Sequence, residues 1–409
     1  MHTVLIDGSV FPLEEVQEHP ARYLKRLERA KVTPGYAICQ CDSGADPLRL
    51  VIRRYGTLCH LAGWPDDGHR HKRSCPFYKR VDVYGAADHA GDPADAILLR
   101  RDGMNVRLDV ALTTRGATEA AGPTSRQSHA SAGRRSSRLL AFLQRWWLEA
   151  GLARWSAASA SRHWGVCSAQ LLAALGEGTI NGHDAQSVLH VMRRYQETER
   201  ETINAEFDRY LSRLTFDAQR PRRGLIVGEF SELAATPWGH SITLRQNPRH
   251  YYLSGPLAAH AEKSYPHAWR AIGDSVARVV AILVVERTAK SHLRVVDLAA
   301  MLCSQAYIPC DSIHEVAMAN RLVREGRTFE KPMRLAAGGD MLPDFVLTDT
   351  PMPVHIEVYG MNGMPAYEQR KSEKRALRRE RGIRAVEWDV GSIPVDQVAL
   401  PAAIQPAHG

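Results

Sequence analysis

Two carboxylates near the C-terminal end of the chain carry the clearest chemical signal. Asp344 lies in Met341-Leu342-Pro343-Asp344-Phe345-Val346-Leu347, and Glu357 lies in Val354-His355-Ile356-Glu357-Val358-Tyr359-Gly360. Both runs are apolar and β-branched, and Thr348-Asp349-Thr350-Pro351 between them has the composition of a turn. A hairpin closing at Thr350 and Pro351 pairs position 344 with position 357. The two acids then share one face, while Phe345, Leu347, Ile356 and Val358 turn the other way, into a core. Like charges held side by side repel, and a divalent cation is the usual remedy. Hard carboxylate oxygens suit Mg²⁺ or Mn²⁺.

A second constellation sits in the N-terminal fifth, where four of the seven cysteines fall. Cys39-Gln40-Cys41 precedes a β-hairpin-like stretch over residues 48–62 with a turn at Gly56, and His69, His71 and Cys75 follow. A Cys-x-Cys knuckle and a His-x-x-x-Cys turn can converge on one tetrahedral ion, and zinc accepts that mixture of sulfur and nitrogen. The preferred ligands are Cys39, Cys41, His71 and Cys75, with Cys59, His60 and His69 as substitutes. Four protein ligands leave no open position, so such a zinc would be structural. The flanking Arg70, Lys72, Arg73, Lys79 and Arg80 suit phosphate contact or plain solvation.

The acidic pair needs elements to hold it. Asp311-Ser312 caps a helix over residues 311–322 that carries Glu315, with Ile313, Val316, Ala317 and Leu322 at helical spacing. A strand over residues 332–335 is expected next, then the two acidic strands. A charged helix follows from Pro365 to about Arg381, and a last strand over residues 384–390. Tyr367, Lys374 and Leu377 share one stripe of that helix, which should face the sheet.

This order of helix, three strands, helix and strand, with Pro343-Asp344 on one strand and Glu357 on the next, resembles the PD-(D/E)XK nuclease superfamily. The resemblance implies a restriction-endonuclease-like αβββαβ core in which Asp344, Glu357 and the Val358 carbonyl bind a catalytic Mg²⁺ or Mn²⁺. It also implies Glu315 as an additional ligand and a lysine that activates water. The consensus lysine position is Tyr359 here. Lys374, on the following helix, is the first candidate to replace it and Lys371 the second. Over nearly its full length the chain is also similar to a family of bacterial proteins of unknown function carried on plasmids and integrative elements. That likeness rests on the Cys-x-Cys…His-x-x-x-Cys pattern, on Tyr307-Ile308-Pro309-Cys310-Asp311-Ser312 leading to His314-Glu315, and on the two acidic strings with Gly360-Met361.

Composition frames these sites. The chain has 409 residues, 44% of them hydrophobic and 24% charged, the balance of a soluble globular protein with several domains. A net charge of +8 favours a polyanionic partner, which the nuclease resemblance implies to be nucleic acid, in particular DNA. Arg370, Lys371, Arg375 and Arg378 are the candidate backbone contacts. An acid within seven residues of Met1, an odd number of cysteines and no long apolar run predict a cytoplasmic chain without a membrane span. Oligomeric state is not legible.

The expected class is α/β, multi-domain and α+β overall. Residues 1–112 form a helix over residues 13–30 plus the zinc-binding β-hairpin module, and 113–137 a linker. Residues 138–219 form an all-α middle with a long charged helix over 183–214, broken or continuous, and a tryptophan core. Residues 220–396 form the α/β region, whose strands over 225–303 extend the nuclease-like sheet or layer against it. Residues 397–409 are expected to be a disordered tail. Two other readings fit the same residues: a nucleic-acid-binding or assembly protein that keeps the fold without cleaving, and a zinc-dependent interaction module.

Overall fold

The computed structural model describes residues 2–42, 44, 46–79, 97–112, 129–156, 162–217, 221–333, 342–360 and 365–404. Among them the chain is a mixed α/β protein with four sheets and two hydrophobic cores. The first core belongs to the N-terminal module. Its five-stranded sheet runs in the spatial order Ser9–Pro12, Thr3–Ile6, Ala37–Cys39, Leu48–Tyr55, Leu58–Gly63. Tyr23, Leu27 and Ala30 are the buried stripe of a helix over Pro20–Val32 that packs on this sheet. The single helix expected over 13–30 is two helices, Leu13–Glu18 and Pro20–Val32. Proline has no N–H to return to the preceding turn, so Pro20 starts a helix and cannot sit inside one.

The second core is continuous from Met104 to Val398. No break in packing therefore separates the middle of the chain from its C-terminal region. Trp146 and Trp147 are fully buried, Trp155 and Trp164 nearly so, and the Trp147 indole donates to the Tyr307 carbonyl at 3.0 Å. The tryptophans are core, as expected. The all-α expectation for 138–219 is corrected: Arg154–Trp155, Thr179–Ile180, His183–Asp184 and Leu189–Val191 are strands. The long charged helix is reduced to Arg200–Leu211 with a short turn at Ala185–Val188. Leu189-His190-Val191 is fully buried and pairs in parallel with Leu225-Ile226-Val227. A neighbouring strand edge satisfied those backbone groups better than helical bonds could. A helix over His129–Glu149 also enters the segment expected as a linker, of which residues 113–128 lie outside the described residues.

The strands between 223 and 304 neither extend the C-terminal sheet nor lie flat against it. Arg223–Thr236, Gly239–Leu244, Asn247–Ser254, Leu293–Ser304 and Ala277–Arg287 pair in that order, and the last pairs back to the first, closing a five-stranded barrel. The 14-residue first strand serves both neighbours by bending at a bulge between Phe230 and Glu232. Helices Gly255–Ser264 and Pro266–Arg270 join Asn247–Ser254 to Ala277–Arg287.

The C-terminal sheet has the order Ala385–Asp389, Val354–Tyr359, Phe345–Leu347, Phe329–Glu330, Arg154–Trp155. The helix–strand–strand–strand–helix–strand sequence expected for 311–390 is formed, with its first strand at Phe329–Glu330 where 332–335 was expected. Phe345 pairs with Ile356 and Val346 with His355, the register read from the turn. The hairpin is antiparallel, and the helix Pro365–Glu380 crosses over to make the last strand parallel. The expected tail is ordered through residue 404: Val398 is buried in the second core, and the Ile404 N–H donates to the Asp349 carbonyl at 2.7 Å. Among the described residues no helix is long and apolar enough to cross a membrane.

Candidate metal centre and carboxylate site

The four preferred thiol and imidazole residues come together. Cys39 ends a strand, Cys41 lies two residues beyond, and His71 and Cys75 flank the turn after the hairpin. All four are buried, and their ligand atoms lie within 4.8 Å of one another. Cys39 Sγ is 3.6 Å from Cys75 Sγ, and His71 Nδ1 is 3.4 Å from Cys41 Sγ and 3.5 Å from Cys75 Sγ. A tetrahedral zinc with bonds of about 2.3 Å to sulfur and 2.0 Å to nitrogen spaces its ligands about 3.8 Å (S–S) and 3.5 Å (S–N) apart. The donor set and its edges fit that ion. The three sulfurs share one small site and cannot ionise independently. The neighbouring thiols hold Cys41 far below the usual thiol range, whereas the Cys41 thiolate pushes Cys39 up to about 12. The substitutes lie elsewhere: Cys59 is buried in the sheet, His60 is buried and pushed down to about 4 by desolvation, and His69 is exposed. The residues can therefore hold a metal such as zinc, with no open position for substrate.

The carboxylates are arranged differently. Pairing of Phe345 with Ile356 sets Asp344 beside Glu357, as the sequence implied. The Asp344 N–H donates to the Ile356 carbonyl at 3.1 Å, and Asp344 Oδ2 accepts the Val358 N–H at 2.6 Å. Val358, named for its carbonyl, is half-buried. Glu357 is 2% exposed, and protein cations hold both of its oxygens. Lys374 Nζ donates to Oε2 at 2.9 Å and to the Leu342 carbonyl at 3.0 Å; Arg378 Nη1 donates to Oε1 at 2.7 Å. Burial pushes the Glu357 carboxyl up, and Lys374 opposes it. Of the two lysines considered, Lys374 reaches the acidic pair; Lys371 packs over the Tyr359 ring at 4.3 Å and lies 3.6 Å from Asp389.

Glu315 stands in the first turn of its helix, whose cap is Ser312. Its Oε2 accepts from Lys331 Nζ at 2.6 Å and from the Asp311 N–H at 3.0 Å. Lys331 also donates to Asp311 Oδ2 at 3.0 Å and is 4% exposed. Burial pushes Glu315 up, Lys331 opposes the shift, and Asp344 is near enough to add to it. Lys331 was absent from the sequence expectation. Its one signal is an isolated lysine beside an apolar strand, which only tertiary contact makes meaningful. Among the described residues, Asp344, Glu357 and Glu315 do not bring three ligand oxygens within 4.8 Å; the other such group is the partly exposed Glu14, Glu18 and His163.

The nucleic-acid contacts expected on the last helix are corrected in part. Arg378 is buried and spent on Glu357, the Tyr359 hydroxyl and Glu387, and Lys371 is buried beneath the helix. Arg375 is half-exposed but bound to Glu387, and Arg370 is exposed. A helix stripe facing a sheet cannot also face solvent, and residues 371, 374 and 378 form that stripe.

No curated protein and no solved structure matches the chain. A family model described as a protein of unknown function (DUF1173) matches residues 14–391, and the chain belongs to that family.

Proposed function

We propose that the chain hydrolyses phosphodiester bonds in DNA at the Asp344–Glu357 pair with Mg²⁺ or Mn²⁺. It would act in the cytoplasm, in the plasmid or integrative-element setting that its sequence resemblance implies. One observation carries this reading: an antiparallel register aligns two carboxylates, and a lysine from the crossover helix reaches one of them, Lys374 Nζ to Glu357 Oε2 at 2.9 Å. Two carboxylates suffice for Mg²⁺, which keeps several waters and takes its remaining ligands from substrate phosphate. Asp344 would offer Oδ1, since Oδ2 is held by Val358. Glu357 would offer Oε2 as Lys374 turns toward substrate. When bound, the ion supplies a water of lowered pKa and charge to the phosphate. Lys374 orients that water and meets the developing negative charge. Glu315 and Lys331 hold the helix and neighbouring strand in place behind the pair. The structural zinc centre holds the N-terminal module together.

The test is cleavage of supercoiled plasmid and single-stranded circular DNA with each metal. Asp344→Ala and Glu357→Ala are expected to abolish cleavage, and Lys374→Ala to cut it at least about 100-fold, the usual weight of one donor aimed at developing negative charge. Cleavage that persists in both carboxylate variants would refute the assignment. A second reading, a DNA-binding protein without cleavage, is favoured by Arg378 on the second oxygen of Glu357 and by Tyr359 in the lysine position. Unchanged DNA binding in Glu357→Ala with no cleavage by the wild type would select it.

A further inference from the structure

The closed barrel has a binding face of its own, separate from the carboxylates. Numbered within the barrel, its strands pair in the order 1-2-3-5-4-1, with strands 3 and 5 parallel and a helical connection from 3 to 4. That is the connectivity of five-stranded Greek-key barrels, which bind oligomers across strands 2 and 3 between the loops joining 1 to 2 and 4 to 5. Connectivity alone does not assign function, so the side chains on that face must decide.

The loop from strand 1 to strand 2 is the two-residue turn Pro237-Trp238 between the paired Thr236 and Gly239. Trp238 is 89% exposed. Tight turns take Gly, Asn, Asp or Ser for backbone reasons, and none of those reasons calls for an indole. Gly239 pairs with Ser254, two residues from the exposed Tyr252, so the loop carrying Trp238 lies at that end of strand 3. Tyr251 and Leu253 point inward and are buried, which turns His250 and Tyr252 outward. The Tyr252 ring centre lies 6.3 Å from that of His250 and 5.4 Å from that of His292, in the loop from strand 4 to strand 5. Exposed rings thus run from one loop to the other.

The charges beside them are of one sign. Residues 245–254 and 287–294 adjoin through the pairing of Tyr252 with Arg294, and contain five Arg or Lys, two His and no Asp or Glu. Three of these cations have acidic partners: Arg245 with the buried Glu229, Arg249 with Asp208, and Arg294 with the buried Glu286. Arg294 nonetheless keeps 60% of its side chain exposed. Lys290 is exposed and has no ion pair among the described residues, whereas Arg287 pairs with the inward Leu293 and its Nε is buried. The exposed acid on strand 2's other neighbour is Glu232, opposite Thr243.

We propose that this face binds single-stranded DNA, its bases stacking on Trp238 and Tyr252 and its phosphates meeting Lys290 and Arg294. Stacking platforms interleaved with cations suit a strand whose bases are free, and a duplex keeps its base faces covered. The choice of DNA over RNA rests on the reading given under Proposed function; the single-strand preference does not.

The experiment is fluorescence anisotropy of a labelled 20-nucleotide oligo(dT) with the full zinc-loaded chain in buffer without Mg²⁺ or Mn²⁺, where no cleavage dependent on those ions can occur. Competitors are the duplex, oligo(rU) and a neutral oligosaccharide. The wild type is expected to prefer the single strand at least about 10-fold over the duplex. Trp238→Ala and Tyr252→Ala should each weaken it by about 5- to 100-fold, the range of one lost base stack, and Trp238→Phe should restore most of the binding. Lys290→Ala should lower the slope of log affinity against log salt by about 0.7. An unchanged melting temperature in the Trp238 variants would show that the fold is intact. Equal binding of duplex, full affinity in Trp238→Ala/Tyr252→Ala, or displacement by the oligosaccharide alone would overturn the proposal. Equal competition by oligo(rU) would overturn the choice of DNA. Binding here with no plasmid cleavage would sink only the nuclease reading, and the reverse result only this one.

Discussion

The thiol centre and the carboxylate site are both clusters of metal-binding residue types, and they solve the problem of gathered negative charge in opposite ways. At Cys39, Cys41, His71 and Cys75 the donors meet at the spacing of a tetrahedral ion, and among the described residues no lysine or arginine side chain is hydrogen-bonded to the sulfurs. At Asp344, Glu357 and Glu315 the protein supplies its own cations, Lys374, Arg378 and Lys331. Donor type alone does not distinguish a permanent metal site from an exchangeable one; the presence of competing protein cations does. A centre without them depends on its metal for stability. A site with them can fold without a metal, and on the reading proposed above metal and substrate would enter it by displacing an ammonium.

The difference can be broken most forcefully by removing metal. Chelation, or Cys39→Ser, is expected to unfold the N-terminal module outright, since structural zinc contributes folding free energy on the order of 10 kcal/mol. Zinc analysis and hydrogen exchange over residues 3–79 would check this, and protection that survives chelation would count against a structural metal. The second core should keep its protection.

Next in size is Glu357→Ala. It strands Lys374 without a counter-charge, while Arg378 keeps Glu387, and should cost about 3–5 kcal/mol, read from urea midpoints. The pair Glu357→Leu with Lys374→Met should recover part of it. A loss under about 1 kcal/mol would mean that the cations do not hold this site together.

Acid distinguishes the regions by another route. Burial, with a smaller contribution from Arg193, pushes His60 down to about 4 and His190 down to about 3. The unfolded chain binds those protons near pH 6.5 and the folded chain does not. Stability is therefore complete above pH 6.5 and falls as the pH drops toward the folded values. Each histidine should remove about 2 kcal/mol between pH 7 and pH 5. His190→Phe, packed against Phe207 and Tyr210, should flatten that slope by one proton. An unaltered slope would exclude His190 as its source.

The smallest effect is expected for Asp344→Asn. It keeps an acceptor for the Val358 N–H and should cost about 1 kcal/mol or less while abolishing metal-dependent cleavage. A large loss of stability would make Asp344 a structural residue first.

Local pattern was enough for several of these features. The turn chemistry at Thr350-Pro351 set the hairpin register that places Asp344 against Glu357. The Cys-x-Cys and His-x-x-x-Cys spacings pointed to the four ligands that converge, and helical spacing put Lys374 on the face that reaches Glu357. Each rests on spacings within a short turn, a tight motif or one helix, where chain geometry leaves few alternatives, and for the thiol centre a β-hairpin brings the two motifs together.

What remained hidden depends on contacts that no local spacing encodes. Leu189–Val191 became a strand only because Leu225–Val227 offered an edge. The barrel closed only through pairings between distant strands. Lys331 gained its role from a helix that presents Glu315 to it. Arg378 and Lys371 lost their expected one when the sheet covered them. The sequence by itself determined which residues could carry charge, thiol or ring and which lay together along a turn or helix. The tertiary structure alone decided which charges are neutralised and which are left to solvent, because burial and counter-charge are set by whichever distant segments close over a residue.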